Sequence, residues 1–429
     1  MIGSVFIVFF GTLAFGIPIA VALGFTALSA FIMNPTLPAN MPYIFRTMVT
    51  ALDSYSLLAI PLFILSGNIM AQGGISKKLF NFFAYFIGDK TAGMPIATII
   101  TCLFYGAISG SGPATVAAVG AMTIPILLEL GYDKKFCVSM VAVAGGLGVI
   151  IPPSIPFIIY GQSTGASVGN LFLAGVLPGF LIAGCMIVYA YFFCKIKGED
   201  KEKLKANVVA LRSKGFMGMF KDSFWALLTP VIILGGIYSG IVTPTEAANI
   251  SVVYAIIVSV FIYKSTKFKD LSGIMRDTVA TGAPILLVVS IATVFGKVLT
   301  LMQAPVLISA AITSTFTTKV SVLLIINLIL LFVGMVMDTT PAILILAPIF
   351  MPIISAIGVD PIHFGVIMVV NLAIGFVTPP VGINLFVASS ISGEPVMDIA
   401  KHAMPFIISF FIALMIITFV PAISLALIG

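Results

Sequence analysis

Residues 109–120 read Ser-Gly-Ser-Gly-Pro-Ala-Thr-Val-Ala-Ala-Val-Gly (SGSGPATVAAVG) in the middle of a long apolar run. Gly110, Gly112 and Pro113 fall within four residues, flanked by Ser109, Ser111 and Thr115. Such a cluster breaks a helix. Broken backbone at membrane depth is tolerated only where protein buries it or a wet cavity faces it. The cluster therefore marks either a packed interior turn or a binding site.

The surroundings fix the class. The chain has 429 residues, 60% hydrophobic and 8% charged, with a mean hydropathy of +1.22, whereas a soluble domain carries about 25% charge. Apolar runs of membrane-spanning length recur throughout, which reads as an all-α polytopic membrane protein. The alternation of a transmembrane β-barrel is absent from the sequence. The start lacks a basic n-region and a cleavage site, so no secretory signal is expected. Cys102, Cys137, Cys185 and Cys194 lie in or beside apolar segments without ligand spacing and read as packing residues. The net charge of +6 is not a nucleic-acid footprint and is read loop by loop instead.

Expected spans are 2–33 (with a break near Gly16-Ile17-Pro18), 54–72, 170–194, 223–240, 244–263, 281–301 and 403–427. Two pairs of half-length arms cover 92–130 and 320–357, and broken spans cover 135–165 and 361–391. Segments 41–52, 76–87 and 267–280 read as amphipathic pieces too short to span, lying along the interface. The polar stretch 195–222 holds eight Lys/Arg and is placed in the cytoplasm. Alternating spans from there leaves only Arg46, Lys297 and Lys319, three of 21 basic residues, on the outer side.

The chain also repeats. Pro125 maps onto Pro352, Gly131-Tyr-Asp133 onto Gly358-Val-Asp360, Pro152-Pro153 onto Pro379-Pro380 and Pro178 onto Pro405, each offset by 227. Pro113 meets Pro341 and Pro18 meets Pro244 with one residue of slippage. An ordered series of prolines records architecture, because prolines set helix breaks. The basic residues place the first arm pair open to the cytoplasm and the second open outward. The expected organisation is thus an inverted repeat, 1–194 and 223–429, joined by a basic cytoplasmic linker, 195–222. Two re-entrant hairpins and two broken helices in inverted halves are the signature of a secondary transporter.

Carbonyls and hydroxyls freed at such breaks make an oxygen cage suited to a small hard cation. Half-helix N-termini, carrying partial positive charge, suit an anionic substrate. SGSGP with Ile151-Pro-Pro-Ser154 forms one expected site, and Met337-Asp-Thr-Thr-Pro341 with Thr378-Pro-Pro-Val-Gly-Ile-Asn384 the other. Asp338 is an acid deep in an apolar segment, a cation-ligand candidate that also has the form of a helix cap. Ser109, Ser154 and Asn384 are the candidate substrate contacts. The serines have membrane-helix bonding as their plainer role, and Asn384 has a tie between helices. Thr243-Pro-Thr-Glu246 reads as a capping box, and Glu129 as a solvated arm end. His363 near the outer end of its span and His402 in an inner loop are too far apart for a metal site. Gly145-Gly146-x-Gly148 lacks a phosphate-loop context and reads as close helix packing.

Together, SGSGPATVAAVG, GLGVIIPPSIPFIIYG, GIVTPTEAA, GMVMDTTPAILILAPIFMPI and GFVTPPVGINLFV resemble the large membrane subunit of tripartite ATP-independent periplasmic (TRAP) transporters, over essentially the whole chain. The resemblance implies sodium-coupled uptake of a carboxylate by an elevator mechanism in the bacterial inner membrane. It implies a soluble periplasmic substrate-binding protein and a small four-helix membrane subunit, here expected as a separate chain. It places sodium at Ser109, Ser111, Gly112, Ile151 and Pro153, and at Asp338, Thr339, Thr378 and Pro379. A sialic acid or a C4-dicarboxylate is the favoured cargo. No arginine falls in the expected cavity, so binding would rest on hydroxyls, amides and bound sodium. A stand-alone sodium/dicarboxylate symporter is the alternative. An intramembrane enzyme is disfavoured, since Asp338 has no catalytic partner at its depth.

Overall fold

The computed structural model describes residues 2–34, 37, 41–213, 215–316 and 318–428. Its first half runs α1 (Ile2–Ala14), α2 (Ile19–Met33), α3 (Met41–Leu52), α4 (Ala59–Gln72) and α5 (Ile75–Ile87). The hairpin arms α6 (Gly93–Ser109) and α7 (Gly112–Glu129) follow, then α8 (Lys134–Ala144), α9 (Ile155–Thr164) and α10 (Val168–Lys197). A linker helix, α11 (Lys201–Arg212), leads to α12 (Gly215–Tyr238), α13 (Pro244–Ile256), α14 (Leu271–Leu301) and α15 (Ala304–Thr315). The second pair of arms is α16 (Lys319–Val336) and α17 (Thr339–Ala356), followed by α18 (Pro361–Gly375), α19 (Ile383–Ser392), α20 (Val396–Phe419) and α21 (Ala422–Leu425). Among the described residues, nine helical stretches are long and apolar enough to cross a membrane.

The matched sequence positions do matched local jobs. Gly131 and Gly358 take positive φ just before Asp133 and Asp360. Each aspartate then caps the next helix, Asp133 accepting from Phe136 N at 2.8 Å and Asp360 from Ile362 N at 2.8 Å. A side-chain acceptor at that position satisfies an amide that the helix cannot. Thr243 and Glu246 form the reciprocal cap of α13, at 3.3 and 2.7 Å.

Two expectations are corrected. Residues 267–280 are not a separate interfacial helix, because α14 runs unbroken from Leu271 to Leu301. The sequence there, Val279-Ala-Thr-Gly-Ala283, contains no strong breaker, and Pro284 is carried inside the helix. In the first half the corresponding junction holds Asp53 and Ser54, and the chain does bend into a 3₁₀ turn, Tyr55–Leu58. The last span runs over Val396–Phe419 rather than 403–427, starting after Pro395 and stopping just before Pro421. His402 consequently lies in a helix, not in a loop.

The halves pack crosswise. Helix α4 lies on α13 and α14 on α2, while arm α7 packs on α19 and arm α17 on α9. One arm of each hairpin, α7 or α17, therefore packs against the broken helix of the opposite half, while α16 packs on α18 of its own half. The core is continuous across both halves, with Phe157, Phe364, Phe406 and Phe410 fully enclosed.

The polar linker clasps the base of the first hairpin. Glu199 accepts from Ala92 N at 3.0 Å and from Tyr132 OH at 2.6 Å, joining the start of α6 to the end of α7. Burial, then the bond to Glu199, pushes the Tyr132 phenol up, so it stays a donor. Ala92 has a φ of 58°, a left-handed conformation unfavourable for a residue with a Cβ. Arg212 grips both oxygens of Asp89 at 2.9 and 3.1 Å and holds that carboxyl below its ordinary range. That contribution is present at neutral pH and fades as pH falls through the depressed value. Replacing Glu199 by Ala is expected to cost about 1–3 kcal/mol, because it removes charge-assisted bonds from two hairpin ends at once. A lowered melting temperature in detergent, with faster tryptic cleavage between Lys201 and Arg212, is the expected readout.

Candidate functional site

The first hairpin tip is built by three residues. Helix α6 ends at Ser109, and Gly110 turns the chain with φ +62°, its amide bonded to Gly106 O at 3.0 Å. Ser111 caps α7, and Pro113 sits in the first turn, where a missing amide hydrogen costs nothing. The hydroxyl of Thr115 donates to Ser111 O at 2.8 Å and lies 3.0 Å from Ser109 Oγ. Three oxygens from one tip therefore converge, with no acid among them.

The tip rests on the loop of the broken helix α8–α9. Ile155 N donates to Gly110 O at 3.4 Å. A Cβ on Gly110 would lie 2.8 Å from Pro153 O. Between α8 and that loop, Gly145–Val149 forms a 3₁₀ turn pressed against the hairpin. A Cβ on Gly148 would meet Thr115 Oγ1 and would sit 2.6 Å from Ser111 O. The Gly145-Gly146-x-Gly148 run does pack closely, as expected: Gly148 against the oxygen cluster, Gly145 against Val116 of the same hairpin and Gly146 against Phe410.

The second tip is formed by Asp338, which caps α17 through Thr339 N at 2.7 Å. Thr339 Oγ1 lies 3.4 Å from the same carboxylate oxygen. Val381 N donates to Met335 O at 3.2 Å, tying the α18–α19 loop to the end of α16. The hydroxyl of Thr378, in the loop after α18, donates back to Ile374 O in the last turn of that helix at 2.8 Å. Pro152-Pro153 and Pro379-Pro380 are both cis.

The predicted residues are thus divided. Ser109, Ser111, Gly112 and Pro153 gather at the first tip, with Ile151 in the same loop. Asp338, Thr339, Thr378 and Pro379 belong to the second tip and the loop beside it. Ser154 and Asn384 stand apart from the cavity described below. Ser154 is buried and its hydroxyl bonds Val149 O while accepting from Phe157 N at 3.3 Å. It is a helix cap. Asn384 crosses between the halves, its Nδ2 donating to Ala142 O at 3.0 Å. Its Oδ1 is buried and has no hydrogen-bond partner. A buried amide oxygen left without a donor is a costly arrangement that a cation relieves.

A cavity of about 270 Å³ lies beside the first tip and is lined by α4 and α14 as well. Ser109, Ser111, Tyr105, Asn68 and Thr281 supply its polar wall. Sequence reasoning missed Thr115, which is one helical turn past Ser111 and so faces the tip from within. It also missed two glycine crossings. A Cβ on Gly106 would come 2.8 Å from Gly148 Cα, and one on Gly334 would come 3.4 Å from Gly375 Cα. The signal was present, since Gly148 and Gly375 are offset by 227 like the prolines.

The sequence profile of the family described as "Tripartite ATP-independent periplasmic transporter, DctM component" matches residues 6–423. The chain is 43% identical over 417 residues to an isethionate TRAP transporter permease protein, DctMQ, of Oleidesulfovibrio alaskensis, covering 97% of this chain and 65% of that one. It therefore spans just under two thirds of that relative's length. It is 41% identical over 376 residues to a C4-dicarboxylate TRAP transporter large permease protein of Pseudomonas aeruginosa, covering 87% of this chain and 86% of the relative. Identity to a sialic acid TRAP transporter large permease protein of Vibrio cholerae is 34% over 427 residues, covering 100% and 98%. Among solved structures, the Alcanivorax borkumensis YdaH transporter aligns with a TM-score of 0.64 at 13% identity, over 93% of this chain and 97% of its own. Neisseria gonorrhoeae MtrF aligns with a TM-score of 0.60 at 13% identity, over 87% and 83%. At that identity the two structures share a fold and no more.

The crossing at Gly148 makes a sharp expectation. Gly148→Ala pushes a methyl into Thr115 and the Ser111 carbonyl, and overpacking of this kind costs about 1–3 kcal/mol. Gly184→Ala, on α10 with nothing within 4 Å of the added carbon, is the matched control. The first variant should lose thermal stability and uptake together, and the second should keep both.

Proposed function

This chain belongs to the DctM-component family of tripartite ATP-independent periplasmic transporters and is a multi-pass protein of the bacterial inner membrane; we propose that it carries a small organic anion inward, driven by sodium. The observation that supports this most is the pairing of each re-entrant tip with a broken-helix loop, which frees backbone and hydroxyl oxygens where a dehydrated cation needs them. Carboxylates are the proposed cargo, with a sialic acid or a C4-dicarboxylate favoured. The names of the relatives, which include isethionate, agree on small anions while differing in head group.

The residues divide the task. At the first tip, Ser109, Ser111 and Gly112, joined by Thr115 and by the Ile151–Pro153 loop, would hold one sodium through neutral oxygens. At the second, Asp338, Thr339, Thr378 and Pro379 would hold another, with the carboxylate of Asp338 offsetting the ion's lost hydration. Bound sodium would place positive charge beside the cavity and make it attractive to an anion that no arginine greets. Asn384 would sense both halves, since it ties α19 to α8 and keeps one oxygen free.

The elevator reading rests on the packing. Helices α4 with α13 and α14 with α2 form a frame, and the hairpins and broken helices interlock with one another. An inverted repeat makes two equivalent dispositions of that interlocked body available against the frame. In the disposition seen here the cavity lies at the half of α4 nearest Lys77 and Lys78, the cytoplasmic half on the charge rule.

Two experiments test this. With pH held constant and sodium replaced by choline, uptake should collapse, and full uptake under a proton gradient alone would sink sodium coupling. Asp338→Asn should reach the membrane in normal amount and need roughly ten-fold more sodium for half-maximal uptake, the effect of about 1.4 kcal/mol of lost ion binding. A separate small subunit and a periplasmic binding protein are the proposed partners. Liposomes holding this chain alone should be inactive and should gain uptake when both are supplied. Robust uptake of free substrate by the lone chain would favour the stand-alone symporter.

A further inference from the structure

A second cavity, of about 300 Å³, lies at the far end of α14, away from the first tip. Its wall comes from α14 (Thr293, Lys297, Thr300), from the end of α9 (Gln162, Ser163) and from α17 (Leu344, Pro348). It therefore sits between the frame and the interlocked body, on the face opposite the lysine-rich linker. Its place follows the repeat, since Leu344 is the counterpart of Ala117 (344 − 117 = 227), which lines the first cavity.

The chemistry differs from that of the first cavity. Lys297 is exposed, and no acidic side chain lines the space. Among the described residues Lys297 makes no ion pair. Thr293 and Thr300 donate their hydroxyl hydrogens to carbonyls of their own helix, at 2.7 and 2.9 Å. Gln162 accepts from Ser54 Oγ at 2.7 Å through Oε1, which leaves its amide hydrogens free. The free donors are thus an ammonium, an amide and the Ser163 hydroxyl. Three donors without a counter-charge, in a space large enough for a small organic acid, form an anion site.

We propose that the cavity at Lys297, Gln162 and Ser163 is an outer vestibule that binds the anionic substrate before the hairpin site receives it. The proposal rests on the transport reading above. It explains why one of the few basic residues outside the cytoplasmic set is carried on a frame helix facing the interlocked body. A positively charged mouth raises the local concentration of an anion and its rate of capture, an effect that salt screens. Because the wall is shared between frame and moving body, the vestibule must change shape as the body moves.

The test uses the assembled transporter in nanodiscs. Thr300→Cys places a thiol one turn from Lys297, and the unsubstituted chain controls for its own cysteines, of which Cys102, Cys137 and Cys194 are buried. An anionic methanethiosulfonate should label this thiol several-fold faster than a cationic one, and Lys297→Gln should erase that preference. Succinate, N-acetylneuraminate and isethionate are then compared with sodium chloride at equal ionic strength. Protection by at least one organic anion beyond that of chloride is the expected result. Protection by none of them, or a preference unchanged in Lys297→Gln, overturns the vestibule. In uptake, Lys297→Gln should raise KM roughly ten-fold at low salt with kcat nearly kept, and Lys297→Arg should restore it. If uptake is absent in every variant while labelling and protection behave as stated, the transport reading fails and the anion site stands.

Discussion

Everything in this molecule depends on satisfying backbone that cannot be helical. A break between apolar helices leaves amides and carbonyls that water would normally cover, and away from water each costs several kcal/mol. Here the protein covers them with itself. Ser111 and Asp338 cap the second arms, Gly110 takes the left-handed turn, and the loop of a broken helix reaches in to bond a tip carbonyl. In the turn at 145–149, Gly145 and Gly148 lie so close to the hairpin that a Cβ at either would collide with it.

That covering is deliberately incomplete in chemical terms. Hydroxyl oxygens converge at the first tip, a carboxylate stands at the second, and the Asn384 oxygen is buried without a donor. A fully satisfied core would be rigid and inert.

The crossed packing of the halves gives this local chemistry its mechanical consequence. Arm α7 leans on α19 and arm α17 on α9, so each hairpin is braced by the other half. The frame helices show how far the repeat is allowed to drift. Asp53 and Ser54 bend the first half between α3 and α4, and Ser54 is then free to bond Gln162 on the interlocked body. The second half has no such residues at that junction and runs straight through as α14. Its length lets one helix line both cavities, near Thr281 at one end and Lys297 at the other.

Sequence alone determined the membrane class, the arms, the breaks and the 227-residue correspondence. Those features rest on composition, on apolar run length and on proline and glycine, whose backbone effects are local. It also put Ser111 and Asp338 at the tips, because a cap must sit where a helix begins, and Ser109 beside them, where the preceding helix ends. What it left open was which elements touch. Ser154 could be read as a substrate contact or as a helix bond, since one residue type does both jobs, and its neighbours show the cap of α9. Asn384 looked like part of the second tip and instead reaches Ala142 in the opposite half. The partners of the crossing glycines were out of reach, because close approach of two backbones is a property of the pair. The spacing of 227 hinted at those crossings, but only packing in three dimensions decides which glycine meets which.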